Sequence, residues 1–503
     1  METAASFGTL NYCILFVYLA IVFGVGICFS GKQKTTKDYF LGGRKLPWFV
    51  VSMSLFVSLL SAISYMAYPA AAYKENIALI FVCFNFIIIA PFLCFLFYPF
   101  YSSLGVTTSY EYINYRFGQT ARFVASTLFI LARLGWLGVV IYAPALALSV
   151  VSGVNIYLAI FLMGGLAAIY TVLGGLAAVV WTDVLQFVFL VAGAIWVAIS
   201  LINNVPDGLA GIIEIASQEG HLEIVDWKLD LFKMSGLAVM VSYFFQSLQD
   251  FGTDQVNVQR LMAVKDYRSI VKAICMNSLY GFFLIGLLLF IGLGIFAYFH
   301  HYPQFLREGI EGDQILPYYI MHGLPNGVSG IVITAIFAAA MSSMDSGINS
   351  LATVIINDIV KPLRKKIRTE TQDVKLARIL TLVLGVFAIG TACYASTIEE
   401  IFKAAATFIG IFSGPILALF LLGILSRRAS FHGWIIGTAV AVPAMLWFQH
   451  GLKGHWIYYF PFCFGIALIV GYIASVIIGK PKAPSELTIW GRKNLKREDY
   501  SSD

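Results

Sequence analysis

The stretch Ser242–Arg260, "SYFFQSLQDFGTDQVNVQR", sets Gln246, Gln249, Asp250, Gly252, Thr253, Asp254 and Gln255 inside what hydropathy otherwise reads as a membrane crossing. A second run, Ser58–Tyr73, "SLLSAISYMAYPAAAY", interrupts another apolar segment with Ser58, Ser61, Ser64 and Pro69. Neither run suits a lipid-facing helix. Irregular backbone at membrane depth is tolerated only where protein buries it or where it lines a cavity.

The rest of the chain agrees with a membrane reading. Its 503 residues are 59% hydrophobic and 12% charged, with a mean hydropathy of +0.82; soluble domains carry about 25% charged residues. At about 20 apolar residues per crossing, thirteen candidate spans emerge. They are 9–30, 47–72, 77–101, 122–151, 155–176, 181–203, 235–256, 270–299, 326–357, 376–395, 401–425, 431–449 and 457–479. No polar block between them is long enough for a soluble domain, so residues 1–503 read as one transmembrane domain. The opening "METAASFGTLNY" has no basic region and no cleavage site, so the first span is expected to stay. Seven scattered cysteines show no metal or CxxC spacing.

Thirteen spans with an outside N-terminus put 26 of the 33 Lys and Arg residues on inside segments. The positive-inside rule therefore selects N-out, C-in. The net charge of +6 is a topology signal and a weak contact for anionic lipid; it calls for no nucleic-acid partner.

Leaving out the span 9–30, the interrupted spans fall first and sixth of the remaining twelve. A five-span offset is odd, so the two copies enter the membrane from opposite sides. That is the pattern of two inverted five-helix repeats, here 47–203 and 235–425, in a secondary transporter with its site at the midplane. The helix 9–30, the pair 431–479 and a charged, mobile cytoplasmic tail 480–503 flank them. Pro or Ser kinks in an ordinary bundle are the plainer alternative.

One further stretch, Phe337–Ser350, "FAAAMSSMDSGINS", places Ser342, Asp345, Ser346 and Asn349 at i, i+3, i+4 and i+7, on one helical face. An oxygen-rich stripe suits a small hard cation, and carbonyls freed by a broken helix complete such a site. Serines bonding back to their own helix account for Ser342 and Ser343 but poorly for Asp345. Asp183, after Trp181-Thr182, reads either as an interfacial N-cap or as an outer ligand on an ion path.

The chain resembles the sodium/solute symporter family. The stretches that carry the resemblance are "KDYFLGGRKLPWF" (37–49), "TSYEYINYRFG" (108–118), "YTVLGGLAAVVWTDVLQF" (170–187), "GTDQVNVQR" (252–260), "IFAAAMSSMDSGINS" (336–350) and "GPILALFLLGILSRRA" (414–429). The resemblance implies an all-α LeuT-type fold with alternating access driven by Na+. It implies a main sodium site at Val57, Leu60, Ala339, Ser342 and Ser343, with a further sodium near Asp183, Ser342, Asp345 and Ser346. Asp345 stands where sialic acid carriers have serine, which leaves sodium binding, proton binding or pairing with a neighbour open. For the solute it implies Ser61 and Ser64 on the broken helix, where sialic acid carriers hold the substrate carboxylate. Their arginine is replaced by Trp136, with Arg133 one turn earlier, either as an anchor for an anion or as the structural partner of an acid. Cys83 replaces a family glutamine with Asn85 nearby, and Gln249 and Asp250 lie on the sixth core helix.

The leading expectation is a sodium-coupled importer of a small polar solute, a carboxylate or a sugar, in the plasma or inner membrane. A transporter-like sensor with a separate signalling partner is the alternative, and a sodium channel is a third class. Enzymatic function has no support, because the seven histidines lie in loops or at span ends without catalytic spacing.

Overall fold

A chain surrounded by hydrocarbon satisfies its backbone most simply within helices, and the described residues form helices and turns with no strand. The computed structural model describes residues 8–29, 33–152, 154–223, 231–232, 235–310, 312–364, 369–396, 401–479 and 484–495. Its principal helices are α1 (Thr9–Phe29), α2 (Trp48–Leu59), α3 (Ala62–Lys74), α4 (Ile80–Phe92), α5 (Gln119–Ser152), α6 (Ile156–Asn204) and α7 (Gly236–Gly252). They continue with α8 (Gln255–Met262), α9 (Tyr267–His301), α10 (Val328–Val354), α11 (Glu370–Ala395), α12 (Ile401–Leu425), α13 (Phe431–His450) and α14 (Tyr459–Ile478).

Among the described residues, ten helices are long and apolar enough to cross a membrane, or eleven if the bent pair α2–α3 is one crossing. The sequence reading has thirteen, and the difference has two sources. Span 235–256 ends at Gly252 as the 17-residue α7, and spans 155–176 and 181–203 join in α6, which turns at Gly175. Gly175 has φ 58° and ψ −161°, a region open essentially only to glycine. An added Cβ there would stand 2.8 Å from the Tyr39 carbonyl oxygen. The arms on either side, Ile156–Gly174 and Leu176–Asn204, are about 28 and 44 Å long, against a hydrocarbon core of about 30 Å.

Both interruptions read from the sequence are breaks in the structure. Helices α2 and α3 meet at 65°. Pro69 lies inside α3 and does not cause the bend. Ser61 does: its N–H turns to Leu59 O (2.9 Å), and its hydroxyl caps α3 by accepting from Ser64 N (3.3 Å). Between α7 and α8 the chain breaks at Thr253–Asp254, where Asp254 Oδ1 accepts from Val256 N (2.9 Å).

Helix α10 forms the centre of the bundle. Every residue from Val332 to Val354 is buried, and α6, α5, α1, α11 and α2 pack around it. The outer helices do the reverse and expose large apolar side chains such as Phe283, Val386 and Ile477. An apolar outside around a polar centre is the arrangement that lipid favours.

Two expectations about charged segments are corrected. Arg44 donates to Gly105 O and Val106 O (2.7 and 2.8 Å), and Arg116 donates to Gly423 O, Ser426 O and Ala429 O. These charges, read from the sequence as topology signals, are also structural ties between loops. The tail is not a free segment over 484–495: Tyr112 donates to Leu487 O (2.9 Å), Ile489 N to Ile424 O (3.0 Å) and Trp490 Nε1 to Leu425 O (2.8 Å). Residues 480–483 and 496–503 of that tail lie outside the described residues.

Replacing Gly175 with Ala should lower the stability of the purified protein by about 1–3 kcal/mol, the cost of a side chain in a glycine-only region. Gly286→Ala, where an added Cβ meets nothing within 4 Å, should leave the thermal midpoint unchanged in the same detergent.

Candidate functional site

The two breaks differ in how their freed carbonyls are satisfied. At the α7–α8 break, side chains meet four in a row. Asn257 Nδ2 donates to Asp250 O (2.8 Å), Tyr98 to Phe251 O (2.6 Å), Tyr101 to Gly252 O (2.6 Å) and Ser109 to Thr253 O (2.8 Å). At the α2–α3 break, Leu60 N bonds Phe56 O and Ser343 Oγ donates to Ser58 O (3.3 Å). No hydrogen bond among the described residues reaches the carbonyls of Val57 and Leu60. Both residues are buried, and a buried carbonyl without a donor is costly.

The serine-rich helix α10 divides its polar residues between two neighbours. Consecutive helical positions point about 100° apart, so Ser342 and Ser343 diverge. Ser343 faces the α2–α3 break, while Ser342 donates to Asp183 Oδ1 (2.5 Å). Ser346 donates to Asp345 Oδ1 (3.1 Å), and Ser350 bonds back to Gly347 O. Ala339 is buried one turn before Ser343. Of the stripe read from the sequence, Ser342 and Ser346 thus turn to Asp183 and Arg260, while Ser343, which lies off it, faces the α2–α3 break.

Asp183 is not an interfacial N-cap. It lies within the second arm of α6, fully buried, and pairs with the equally buried Arg260 at 3.1 Å. Arg260 also donates from Nε to Ser54 Oγ (2.7 Å), from Nη1 to Val256 O (2.8 Å) and from Nη2 to Ser346 Oγ. Ser54 in turn donates to Asp183 Oδ2 (2.5 Å). Four helices, α2, α6, α8 and α10, meet in this cluster. Sequence reasoning counted Arg260 among the 26 basic residues of the inside segments and passed over Ser54. The signal available to it was Asp183 itself, since a buried acid needs a cation.

A cavity of about 820 Å³ opens beside the α2–α3 break. Ser61, Ser64, Arg133, Trp136, Gln249 and Asp250 all line it, as do Ser58 and Ser343. Asn85 does not; it is buried between α4 and α7 and donates to Met240 O (3.2 Å). Arg133 is engaged, with Nε and Nη2 both donating to Asp254 Oδ2 (3.1 and 2.5 Å). The partner-of-an-acid alternative is therefore the one the structure holds. Gln249 Nε2 bonds Thr253 Oγ1 (3.4 Å), and aromatic faces of Tyr68, Trp136 and Tyr243 complete the wall.

Comparison with known proteins places this architecture. A model of the sodium:solute symporter family matches residues 39–440. The chain is 32% identical over 475 residues to the sodium/sialic acid symporter NanT of Aliivibrio fischeri, covering 94% of each chain. It is 28% identical to the sodium-coupled monocarboxylate transporter 1 of Homo sapiens, covering 90% of this chain and 76% of that one. The solved structure of a Na+-coupled sialic acid symporter, substrate-bound and outward-open, superposes with a TM-score of 0.90 at 30% identity, covering 95% of this chain and all of that one. Mhp1, a nucleobase-cation-symport-1 family transporter in a closed conformation, gives 0.56 at 15% identity over 92% of this chain and 98% of its own, a likeness of fold alone.

Asp183→Asn should destabilise the protein by about 3–5 kcal/mol, because it removes the carboxylate paired with the buried Arg260 guanidinium. Adding Arg260→Gln to that variant should recover part of the loss. Thermal denaturation of the two variants in lipid nanodiscs measures both.

Proposed function

The chain belongs to the sodium:solute symporter family, and we propose that it is a secondary active symporter that uses sodium entry to import a small polar organic solute by alternating access. The solute class suggested by its relatives is a carboxylate, such as sialic acid or a monocarboxylate, and the family resemblance adds sugars. The protein is a multi-pass protein of the cell membrane. In this reading it crosses thirteen times, N-out and C-in, with inverted repeats at 47–203 and 235–425 and flanking segments at 9–30, 431–479 and 480–503.

One observation carries the sodium site: the contrast between the two breaks. Side chains meet the carbonyls at Asp250–Thr253, whereas among the described residues those of Val57 and Leu60 have no donor. Two carbonyl oxygens with hydroxyls beside them are hard ligands for a small cation. The proposed ligands are Val57, Leu60 and Ala339 through their carbonyls and Ser343 through its hydroxyl; Ser342, the fifth residue the resemblance implies, joins them only by leaving Asp183, to which its hydroxyl donates here. The further position at Asp183, Ser342, Asp345 and Ser346 already contains the Arg260 guanidinium, whose charge serves Asp183 in place of a metal ion. The coupling ion is therefore assigned to the main site. One sodium crossing 100 mV supplies about 2.3 kcal/mol, between one and two decades of solute accumulation from voltage alone.

The solute is assigned to the cavity lined by Ser61, Ser64, Arg133, Trp136, Gln249 and Asp250. It shares Ser58 and Ser343 with the sodium site, so ion and solute touch the same broken helix. This adjacency supports coupling: a cation that fixes the α2–α3 break also fixes the wall on which the solute rests.

Ser343→Ala should reduce sodium-dependent uptake in proteoliposomes at least tenfold, and unchanged sodium activation in that variant would count against the site. A single cysteine placed at Arg428, on a background without the native cysteines, should be labelled by an impermeant maleimide only from the cytoplasmic side. Labelling from outside would overturn the orientation.

A further inference from the structure

Of the three acids that line the cavity, Asp254 is paired with Arg133 and Glu75 is exposed just beyond the end of α3, which leaves Asp250. Asp250, half-buried on α7, lines the cavity, and among the described residues no hydrogen bond or ion pair engages its carboxylate. Asn257 takes only its backbone oxygen. Arg133, the cation that faces the same space, directs both Nε and Nη2 to Asp254. Lys74 is exposed at the far end of α3, next in the chain to Glu75. Among the described residues the lining thus carries Asp250, Asp254 and Glu75 against Arg133 and Lys74, an excess of one acid.

We propose that Asp250 sets the substrate class: the cavity takes a solute that presents hydrogen-bond donors, hydroxyls or an ammonium, to this carboxylate, and discriminates against solutes recognised through a free carboxylate. This rests on the symporter reading and narrows it. A carboxylate is an acceptor only, so a carboxylate solute would face Asp250 acceptor to acceptor and like charge to like charge. A protonated Asp250 would offer one donor but still no positive pole. Hydroxyls and ammonium groups donate, and Ser61, Ser64 and Gln246 in the same wall add neutral partners. Trp136 and Tyr243 supply ring faces suited to the C–H surface of a sugar or to a cation. Selection follows from the usual rule that a site built to bond particular polar groups rejects analogues lacking them.

The test uses the full chain in nanodiscs and proteoliposomes, with and without sodium. One set of probes is hydroxyl-rich (glucose, galactose, inositol), one is cationic (choline, ethanolamine), and one is anionic (lactate, N-acetylneuraminic acid). Sodium-dependent thermal stabilisation and uptake are expected from the hydroxyl-rich or the cationic set, and the responding set identifies which donor Asp250 binds. Asp250→Asn should weaken that solute at least tenfold while keeping the thermal shift given by sodium alone, which shows that the variant is folded. Asp250→Ser is the second variant, with the same expectation. Sodium-dependent binding of lactate or N-acetylneuraminic acid by the wild type would overturn the proposal and leave the symporter reading intact, as would an Asp250→Asn variant with unchanged affinity. A wild type that responds neither to sodium nor to any solute would overturn the symporter reading itself.

Discussion

Hydrocarbon offers backbone groups no water, and this constraint explains most of the structure. A helix satisfies it within itself; a broken helix cannot. The chain breaks two helices and resolves the breaks in different ways. Around Asp250–Thr253, two tyrosines, a serine and an asparagine bring side-chain donors to four successive carbonyls. At the other break Ser58 O and Leu59 O take donors, while among the described residues the Val57 and Leu60 carbonyls receive none. The first break behaves as a finished structural joint, and the second as a binding element.

The same constraint organises the buried charges. Asp183 and Arg260 sit where neither would be tolerated alone, and their pair brings together α2, α6, α8 and α10. In the inverted-repeat reading, two of these helices come from each repeat. Separating the pair inside the protein would cost several kcal/mol. A cycle in which these four helices keep their contacts while others rock around them avoids that cost. Arg133 and Asp254 form a second such pair, this one bordering the cavity.

Much of this was legible in the residues. The interrupted runs at Ser58–Tyr73 and Ser242–Arg260 mark real breaks, because polar and glycine-containing stretches stand out against an apolar background. Ser61, Ser64, Arg133, Trp136, Gln249 and Asp250, chosen from two broken helices and one neighbour, line one cavity. Other readings failed for physical reasons. Of the residues interrupting the first run, Ser61 and not Pro69 bends the chain, by capping α3, since a proline inside a helix is tolerated where neighbours re-satisfy the backbone. Asn85 is a link between helices because its side chain points at α7 and not into the cavity, which spacing along one helix does not reveal. The interfacial N-cap alternative for Asp183 fails because the residue lies inside the second arm of α6, paired with Arg260, which spacing along the chain does not reveal.

By itself the sequence determined that this is a polytopic helical membrane protein with two interrupted helices and a polar stripe on a central one. Those properties follow from hydropathy and from periodicity along the chain, which need no knowledge of neighbours. Only the tertiary structure decided which polar groups are spent on one another and which remain for a ligand. Arg133 and Asp254 are 121 residues apart in the chain, and Asp183 and Arg260 are 77 apart; once each pair is closed, the Asp250 carboxylate and the Val57 and Leu60 carbonyls have no hydrogen-bond partner among the described residues. Pairing is a property of distance in space, and helices packed from opposite ends of the chain set that distance.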